Sequence, residues 1–431
     1  MNLRGGVFRL QPRQADDSRR SIDHFFRSLA ADQRTNAIGV VLSGADGDGA
    51  LGLKAIKGEG GIALVQKPET ARFPEMPHQS ILADHVDKIL PPAGIASELA
   101  EIGDQFRKPA VRSLEENLSA NGEEQSFTRI LSLLRGVSGI DFRLYKPTTI
   151  RRRIARRMLL HRFASLTEYA AFLQENPQEL GDLQEDALIN VTRFFRDAPV
   201  FEALKQSILP RIFEGRKPQQ QVRVWVAGCS TGEEVYSIAI CMLEYLTGQP
   251  FEPPIQIFAT DASDRNIQKA RSGIFPEAIA GEVSPERLQR FFVKVDNGFQ
   301  LSKRVRDLCI FARQNLCYDP PFSKMDLISC RNVLIYLGAE LQKQIIATFH
   351  YALRADGLLM LGHSEAIRES IDLFQQIDGK HKFFSKLSTA GAQSLMAVTH
   401  RLFRPDTPAP SAQSAAVESW TDIELQRRAS R

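Results

Sequence analysis

The chain has 431 residues, 43% of them hydrophobic and 25% charged, enough for two or three domains that each bury a core. A net charge of only +4 gives no bulk electrostatic argument for nucleic acid or an anionic membrane surface as a partner. Cys229, Cys241, Cys309, Cys317 and Cys330 show no Cys-x-x-Cys spacing and no clustering with histidine. That argues against a disulfide framework and against a metal site, and for a reducing cytoplasm. No apolar run reaches membrane-span length and no signal-peptide core follows residues 1–6, so no direct membrane insertion is expected.

The apolar run 37–43 predicts a strand, followed by a Gly/Asp-rich turn at 44–49, a helix over 50–57 and a second strand at 62–65. Pro91, Pro92 and Gly94 punctuate this small α/β unit, and a helical stretch runs on to about Phe106. Residues 108–125 are polar with little periodicity and mark a boundary. The segment 126–204 is helical throughout, with Ile130, Leu133, Leu134 and Val137 on one face and Leu166, Tyr169, Phe172 and Leu173 on another. Within it residues 151–157 hold five arginines. On a helix Arg152, Arg153, Arg156 and Arg157 crowd one side, either as a solvated face or as an anion-reading surface for an acidic protein helix or nucleic acid.

Residues 222–237, Val-Arg-Val-Trp-Val-Ala-Gly-Cys-Ser-Thr-Gly-Glu-Glu-Val-Tyr-Ser, run an apolar strand into a glycine-containing loop that opens an amphipathic helix. The loop is not Gly-x-Gly-x-x-Gly and lacks a P-loop lysine. Glu233 and Glu234 in the first helical turn oppose a diphosphate and suit a sulfonium cofactor better. The next strand, 255–260, ends in Asp261, where a ribose diol would lie. Together these point to S-adenosylmethionine, although glycine turns of this kind also occur purely for packing. Strands at 309–312, 326–329 and 357–361, a helix at 340–353 and an apolar stretch at 381–384 predict a mostly parallel sheet with helices on both faces. Beyond Leu387 the chain turns small and polar and reads as a disordered tail, with a short helix near 420–428 as an option.

The segments Asn190-Val191-Thr192-Arg193-Phe194-Phe195-Arg196, Gly228-Cys229-Ser230-Thr231-Gly232-Glu233-Glu234-Val235-Tyr236-Ser237, Cys330-Arg331-Asn332-Val333-Leu334-Ile335-Tyr336 and Gly362-His363-Ser364-Glu365 resemble, in that order, the chemotaxis receptor methyltransferases (CheR) over roughly 126–387. The resemblance implies methyl transfer from S-adenosylmethionine to glutamates of methyl-accepting chemoreceptors. It places cofactor contacts on Asn190, Thr192, Arg196, Glu234, Asp261, Asn315, Leu316, Arg331 and Asn332, sets Arg196 and Tyr336 beside the reacting carboxylate, and gives the arginine helix to receptor binding. Residues 41–54 and 66–71 resemble the C-terminal half of the chemotaxis methylesterases (CheB), with Asp48 aligned to the triad aspartate. Neither the nucleophile segment nor the histidine motif of that family precedes them, so Asp48 is expected to be vestigial, since an aspartate without serine and histidine activates no nucleophile.

The expected class is therefore α/β, with five parts: a truncated methylesterase-like fragment (1–105), a linker (106–125), an all-helical subdomain (126–205), a class I Rossmann-like methyltransferase domain (206–388) with a β insertion at about 275–308, and a disordered tail (389–431). Asp296-Asn297-Gly298-Phe299 predicts a hairpin turn in that insertion. The implied partners are the cytoplasmic helices of chemoreceptors and a sensor kinase or fused sensor module. Two rival readings stand beside this one. Asp319-Pro320-Pro321-Phe322 resembles the motif of amino-methylating DNA methyltransferases, but its strand follows the motif where theirs precedes it. A non-catalytic signalling scaffold is the other rival, favoured more by the first fragment than by the second domain.

Overall fold

A computed structural model describes residues 1–10, 20–107, 121–296, 298–367 and 372–388. They fall into two units, residues 1–191 with 274–300 and residues 192–273 with the chain from 301 onward.

The first unit opens with a hairpin of β1 (Asn2–Arg4) and β2 (Val7–Arg9), followed by three parallel strands, β3 (Ile38–Val41), β4 (Ile62–Gln66) and β5 (Lys88–Leu90), in that spatial order. The run Ile-Ala-Leu-Val-Gln of β4 is buried at every position, as a central parallel strand covered on both faces must be. Its period of two decides what covers it. Ala63 and Val65 face a core with Leu53, Ile56, Phe26 and Ala30 from the helices Ala50–Gly58 and Ser21–Gln33. Ile62 and Leu64 face Ile95 and Ile102 of the Pro92–Arg107 helix together with Leu159 and Leu160 of the Pro147–His161 helix. The apolar face that a half-sheet would expose is thus covered by the helical segment that follows it.

That segment comprises the helices Asn121–Ser138, Pro147–His161, Leu166–Glu175 and Pro177–Ala187. The first begins inside the expected linker, of which residues 108–120 lie outside the described residues. Ile130 and Leu134 are buried as the spacing predicts, but Val137, one residue from that helix's end, is 59% exposed. The insertion is a three-stranded sheet of β8 (Ile274–Phe275), β9 (Phe292–Val295) and β10 (Gly298–Leu301), ordered β8-β10-β9. Asn297 of the expected turn lies outside the described residues. At Gly298, φ is 150° and a Cβ would stand 2.0 Å from the Phe275 carbonyl oxygen, so only glycine fits.

The second unit is built on seven strands, β6 (Val222–Ala227), β7 (Ile255–Asp261), β11 (Cys309–Arg313), β12 (Met325–Cys330), β13 (Leu353–Leu361), β14 (Phe374–Asp378) and β15 (Phe383–Lys386). Their order is β11-β7-β6-β12-β13-β15-β14; the first five are parallel, and β15 is antiparallel to both neighbours. From β6 successive strands are added outward on one side, and from β12 on the other, so strand order reverses between β6 and β12, the switch point at whose carboxyl end a doubly wound sheet binds its ligand. Three details differ from expectation. β13 starts at Leu353, directly after the Ala339–Ala352 helix; β14 is an edge strand of polar sequence that carried no pattern; and the Glu233–Leu246 helix is buried on nearly every side where an amphipathic one was expected. The expected tail, 389–431, lies outside the described residues.

Candidate functional site

At the carboxyl end of β6 the chain turns through Gly228 (φ 71°), Ser230 (φ 50°) and Gly232 (φ 96°) into the Glu233–Leu246 helix. A left-handed serine between two left-handed glycines is costly, and such backbone recurs at functional sites. Asp261, the last residue of β7, holds this turn. One carboxylate oxygen accepts the Ser230 N–H at 2.8 Å, and the other accepts Ser263 N–H at 2.9 Å and Asn266 Nδ2 at 3.2 Å. Burial pushes the Asp261 carboxyl above its ordinary value, while these N–H groups pull the other way.

Glu234 points toward β12. Ser329 Oγ donates to one of its oxygens at 2.7 Å and Arg331 Nη1 to the other at 3.1 Å. The Arg331 side chain is 0% exposed, and its Nη2 binds the Arg196 carbonyl at 3.0 Å and the Asp197 carboxylate at 2.7 Å. Arg331 ties the 196–197 backbone to Glu234 through two carboxylates and a carbonyl, and its buried Nε makes no hydrogen bond. Phe195 (φ 49°) and Asp197 (φ 64°) add further left-handed backbone, and the Phe195 N–H is fixed to Ser237 Oγ at 2.9 Å. The structure thus brings Arg196, Glu234, Ser329 and Arg331 into one bonded group. Thr192 lies on the extended stretch before it, and Asn190 falls in the first unit.

The loop after β12 carries Asn332 (φ 59°) and the 3-10 turn Leu334–Tyr336, with Tyr336 half-buried. A Cβ on Gly228 would stand 2.5 Å from Val333, so this loop lies directly against the β6 loop. Glu365, in the loop after β13, is 3% exposed and accepts the N–H groups of Asn332, Val333, Leu334 and Gly362 at 2.6–3.0 Å. No role was foreseen for Glu365, although its motif was noted; a glycine three residues before a glutamate at a strand end was the available signal. Asn315 closes a local turn, its N–H bonded to Asp319 at 2.7 Å and its side-chain oxygen accepting Cys317 N–H at 3.0 Å, with Leu316 half-buried between. The Asp-Pro-Pro-Phe segment is accordingly a rigid loop whose Phe322 packs on Trp225 and Phe258.

Ser230 Oγ, Gln314 Oε1 and Asn332 Oδ1 are buried without a partner. Unpaired buried polar atoms beside two carboxylates fit a polar, positively charged ligand such as S-adenosylmethionine.

The first unit treats its motif residues differently. Asp48 accepts Ile22 N–H at 2.9 Å and Asp23 N–H at 2.8 Å and caps the Ser21–Gln33 helix, while Asp23 accepts Gly49 N–H at 3.0 Å and Gly52 N–H at 2.6 Å and holds the start of Ala50–Gly58. Among the described residues no histidine bonds Asp48. Ser43 Oγ accepts Phe73 N–H at 2.9 Å.

Three of the four arginines of the Pro147–His161 helix find partners within the first unit. Arg153 donates to the Lys57 and Gly58 carbonyls, and Arg156 to the Gly61 carbonyl, Asp87 and Asp186. Arg157 pairs with Glu179 and Asp182. All three are buried, whereas Arg152 alone of the four is exposed. Burial would raise the Asp87 carboxyl, but the charges of Arg156 and Lys57 outweigh it and hold it below the usual range. One-sided spacing identified the face correctly, but carboxylates and helix-end carbonyls elsewhere in the unit fill it. Among the described residues no group of three His, Cys, Asp or Glu side chains is placed to hold a metal, and no helix is long and apolar enough to cross a membrane.

Residues 190–383 match the S-adenosylmethionine-binding domain of the CheR methyltransferases, residues 125–188 their all-alpha domain, and residues 1–99 the CheB methylesterases. A chemotaxis protein methyltransferase of Borreliella burgdorferi is 32% identical over 265 residues, covering 60% of this chain and 93% of that protein. Chemotaxis protein methyltransferase 1 of Pseudomonas aeruginosa is 33% identical over 251 residues, 57% of this chain and 91% of the relative. An uncharacterized 104.1 kDa protein of Rhodobacter capsulatus is 34% identical over 412 residues, 91% of this chain, and the chain spans 43% of that relative's length.

Proposed function

The chain belongs to the chemotaxis protein methyltransferases, and from that premise we propose that it methylates glutamate side chains on the cytoplasmic helices of methyl-accepting chemoreceptors. When bound, S-adenosylmethionine supplies a methyl group made electrophilic by positive sulfur. A substrate glutamate is already ionised at neutral pH, so the chain need supply no general base. Its residues position the carboxylate and keep water from it. Arg196 brings a guanidinium fork suited to a carboxylate, held in place through its own backbone by Arg331, and Tyr336 offers one hydroxyl donor. Asp261 is set for a ribose diol, and Glu234 for the cationic part of the cofactor. Thr192, Asn315, Leu316, Arg331 and Asn332 complete its surroundings.

The observation that carries the reading is the cluster at the switch point, where Asp261, Ser230, Glu234 and the Asn332 loop meet at the carboxyl ends of adjacent strands. A cytoplasmic setting, a sensor kinase or fused sensor module as partner, and absence of ester hydrolysis by residues 1–105 belong to the same proposal. Incubating the full chain with radiolabelled S-adenosylmethionine and a chemoreceptor cytoplasmic fragment should give base-labile label, and Arg196→Ala should lower turnover by about a hundredfold. Base-stable label, label in the adenines of duplex DNA, or near-native turnover by a folded Arg196→Ala chain would count against it.

A further inference from the structure

Four backbone N–H groups converge on one carboxylate at the site's edge. Each Glu365 oxygen takes two: Oε2 accepts Gly362 at 2.6 Å and Asn332 at 3.0 Å, and Oε1 accepts Val333 at 2.9 Å and Leu334 at 2.8 Å. A carboxylate has about four lone-pair sites, and all are used. The donors come from two different loops, one leaving β12 and one leaving β13, the adjacent parallel strands that flank the switch point on one side. Successive N–H groups of residues 332–334 form a concave nest of the kind that binds anions, and Asn332 enters it with a left-handed backbone, φ 59°, which asparagine adopts more readily than other residues with a Cβ.

We propose that Glu365 is a positioning residue for methyl transfer, its carboxylate fixing residues 332–334 so that Asn332, Val333 and Tyr336 take their working places. This rests on the roles given above to Asn332 and Tyr336. The chain of contacts is short. The nest sets Asn332 with its unpaired Oδ1 beside the cofactor turn, seats Val333 against Gly228, and starts the 3-10 turn that ends in Tyr336, whose N–H bonds the Val333 carbonyl at 3.2 Å. Gly362 is part of the same device. A Cβ there would stand 2.7 Å from Glu365 Oε2 and 2.9 Å from the Asn332 nitrogen. A carboxylate needed only to hold two loops together could do so from their outer ends. This one binds Asn332, which carries a predicted cofactor contact, and the two residues that lead into the turn ending in Tyr336.

The test uses the full chain, titrating S-adenosylhomocysteine by calorimetry and measuring methyl transfer to a receptor fragment. Wild type must first bind and turn over; binding without transfer would count against the proposed substrate and leave the affinity arm for Glu365 intact. In E365Q an NH2 group replaces one acceptor and faces N–H donors. The dissociation constant should rise about tenfold and kcat at saturating cofactor should fall about tenfold or more, in a chain still folded by near-UV dichroism. E365D, which keeps the charge, should recover part of both losses. G362A, which crowds the nest with the carboxylate in place, should show a smaller version of the same pattern. Wild-type affinity and kcat in folded E365Q, or in folded G362A where E365Q does not fold, would overturn the proposal. So would failure of all three variants to fold, which would assign Glu365 to stability alone.

Discussion

Two parallel α/β modules in this chain each present an aspartate at the carboxyl end of their strands, and the two aspartates have different employment. Asp48 is 7% exposed and binds the N-terminus of a helix, while Asp23, on that same helix, binds the N-terminus of the helix after Asp48. Both Asp48 oxygens are used, while Asp23 Oδ2 makes no hydrogen bond and stands 3.8 Å from the Arg20 guanidinium. Asp261 also accepts N–H groups, yet it stands in a turn of left-handed residues beside Ser230 Oγ, with Glu234 on the following helix, and buried polar atoms at this end of the sheet remain unpaired. Both aspartates spend their oxygens on backbone N–H groups, so a motif aspartate signals chemistry only through its surroundings: left-handed backbone and a second carboxylate near Asp261, a reciprocal pair of helix-start contacts at Asp48. The arginine helix of the first unit is likewise given to structure.

The sharpest way to break this contrast is at Arg156. Its guanidinium is 1% exposed, pairs with Asp87 and Asp186, and bonds the Gly61 carbonyl. If the arginine helix is an internal clamp, Arg156→Ala leaves buried Asp87 with Lys57 alone and Asp186 with Arg157 at 3.9 Å, and should cost about 3 kcal/mol of unfolding free energy in a denaturant titration. Asp87 should add an acid dependence. Its folded value lies below the unfolded one, so its contribution is present at neutral pH and is lost as pH falls below about 4 through the depressed value. A variant as stable as wild type but deficient in receptor methylation would return the helix to substrate recognition.

Asp261→Ala probes the other side. Removing the carboxylate frees the Ser230 N–H and takes away the predicted ribose contact, so S-adenosylhomocysteine should bind about 1–3 kcal/mol more weakly by calorimetry. Unchanged affinity in a folded variant would make Asp261 a second Asp48, a carboxylate used up in holding a turn.

Local patterns made much of this legible. The period-two strand 222–227, its glycine loop and the aspartate ending β7 were readable because a strand-to-helix turn confines its chemistry to about ten residues. Arg153, Arg156 and Arg157 were readable as one face but not as a buried one, because Asp87, Glu179 and Asp186 lie 22 to 69 residues away in sequence and no period links them. The ion pairs of Arg331 were illegible for the same reason, since its partners Asp197 and Glu234 are 134 and 97 residues distant. Strand β14, with Gln375, Gln376 and Asp378, is an edge strand whose pairing is set by β15 rather than by its own composition.

The smallest expected effect concerns Asp48 itself. As a cap, its loss should cost about 1 kcal/mol, in the range found for removing an N-terminal helix cap, because both of its oxygens serve backbone N–H groups of residues 22 and 23 and nothing else that could carry a proton. Asp48→Asn, which keeps one acceptor oxygen, should recover part of that loss. Neither change should alter methanol release from a methylated receptor fragment, because Ser43 Oγ is engaged with the Phe73 backbone and no histidine touches Asp48. Measurable methanol release by the wild-type chain that disappears in Asp48→Ala, with the stability change held to that same 1 kcal/mol, would erase the difference between the two aspartates. The cap would then have to open during turnover and admit a histidine, with His24, one residue beyond the Asp23 N–H that Asp48 now holds, as the first position to substitute.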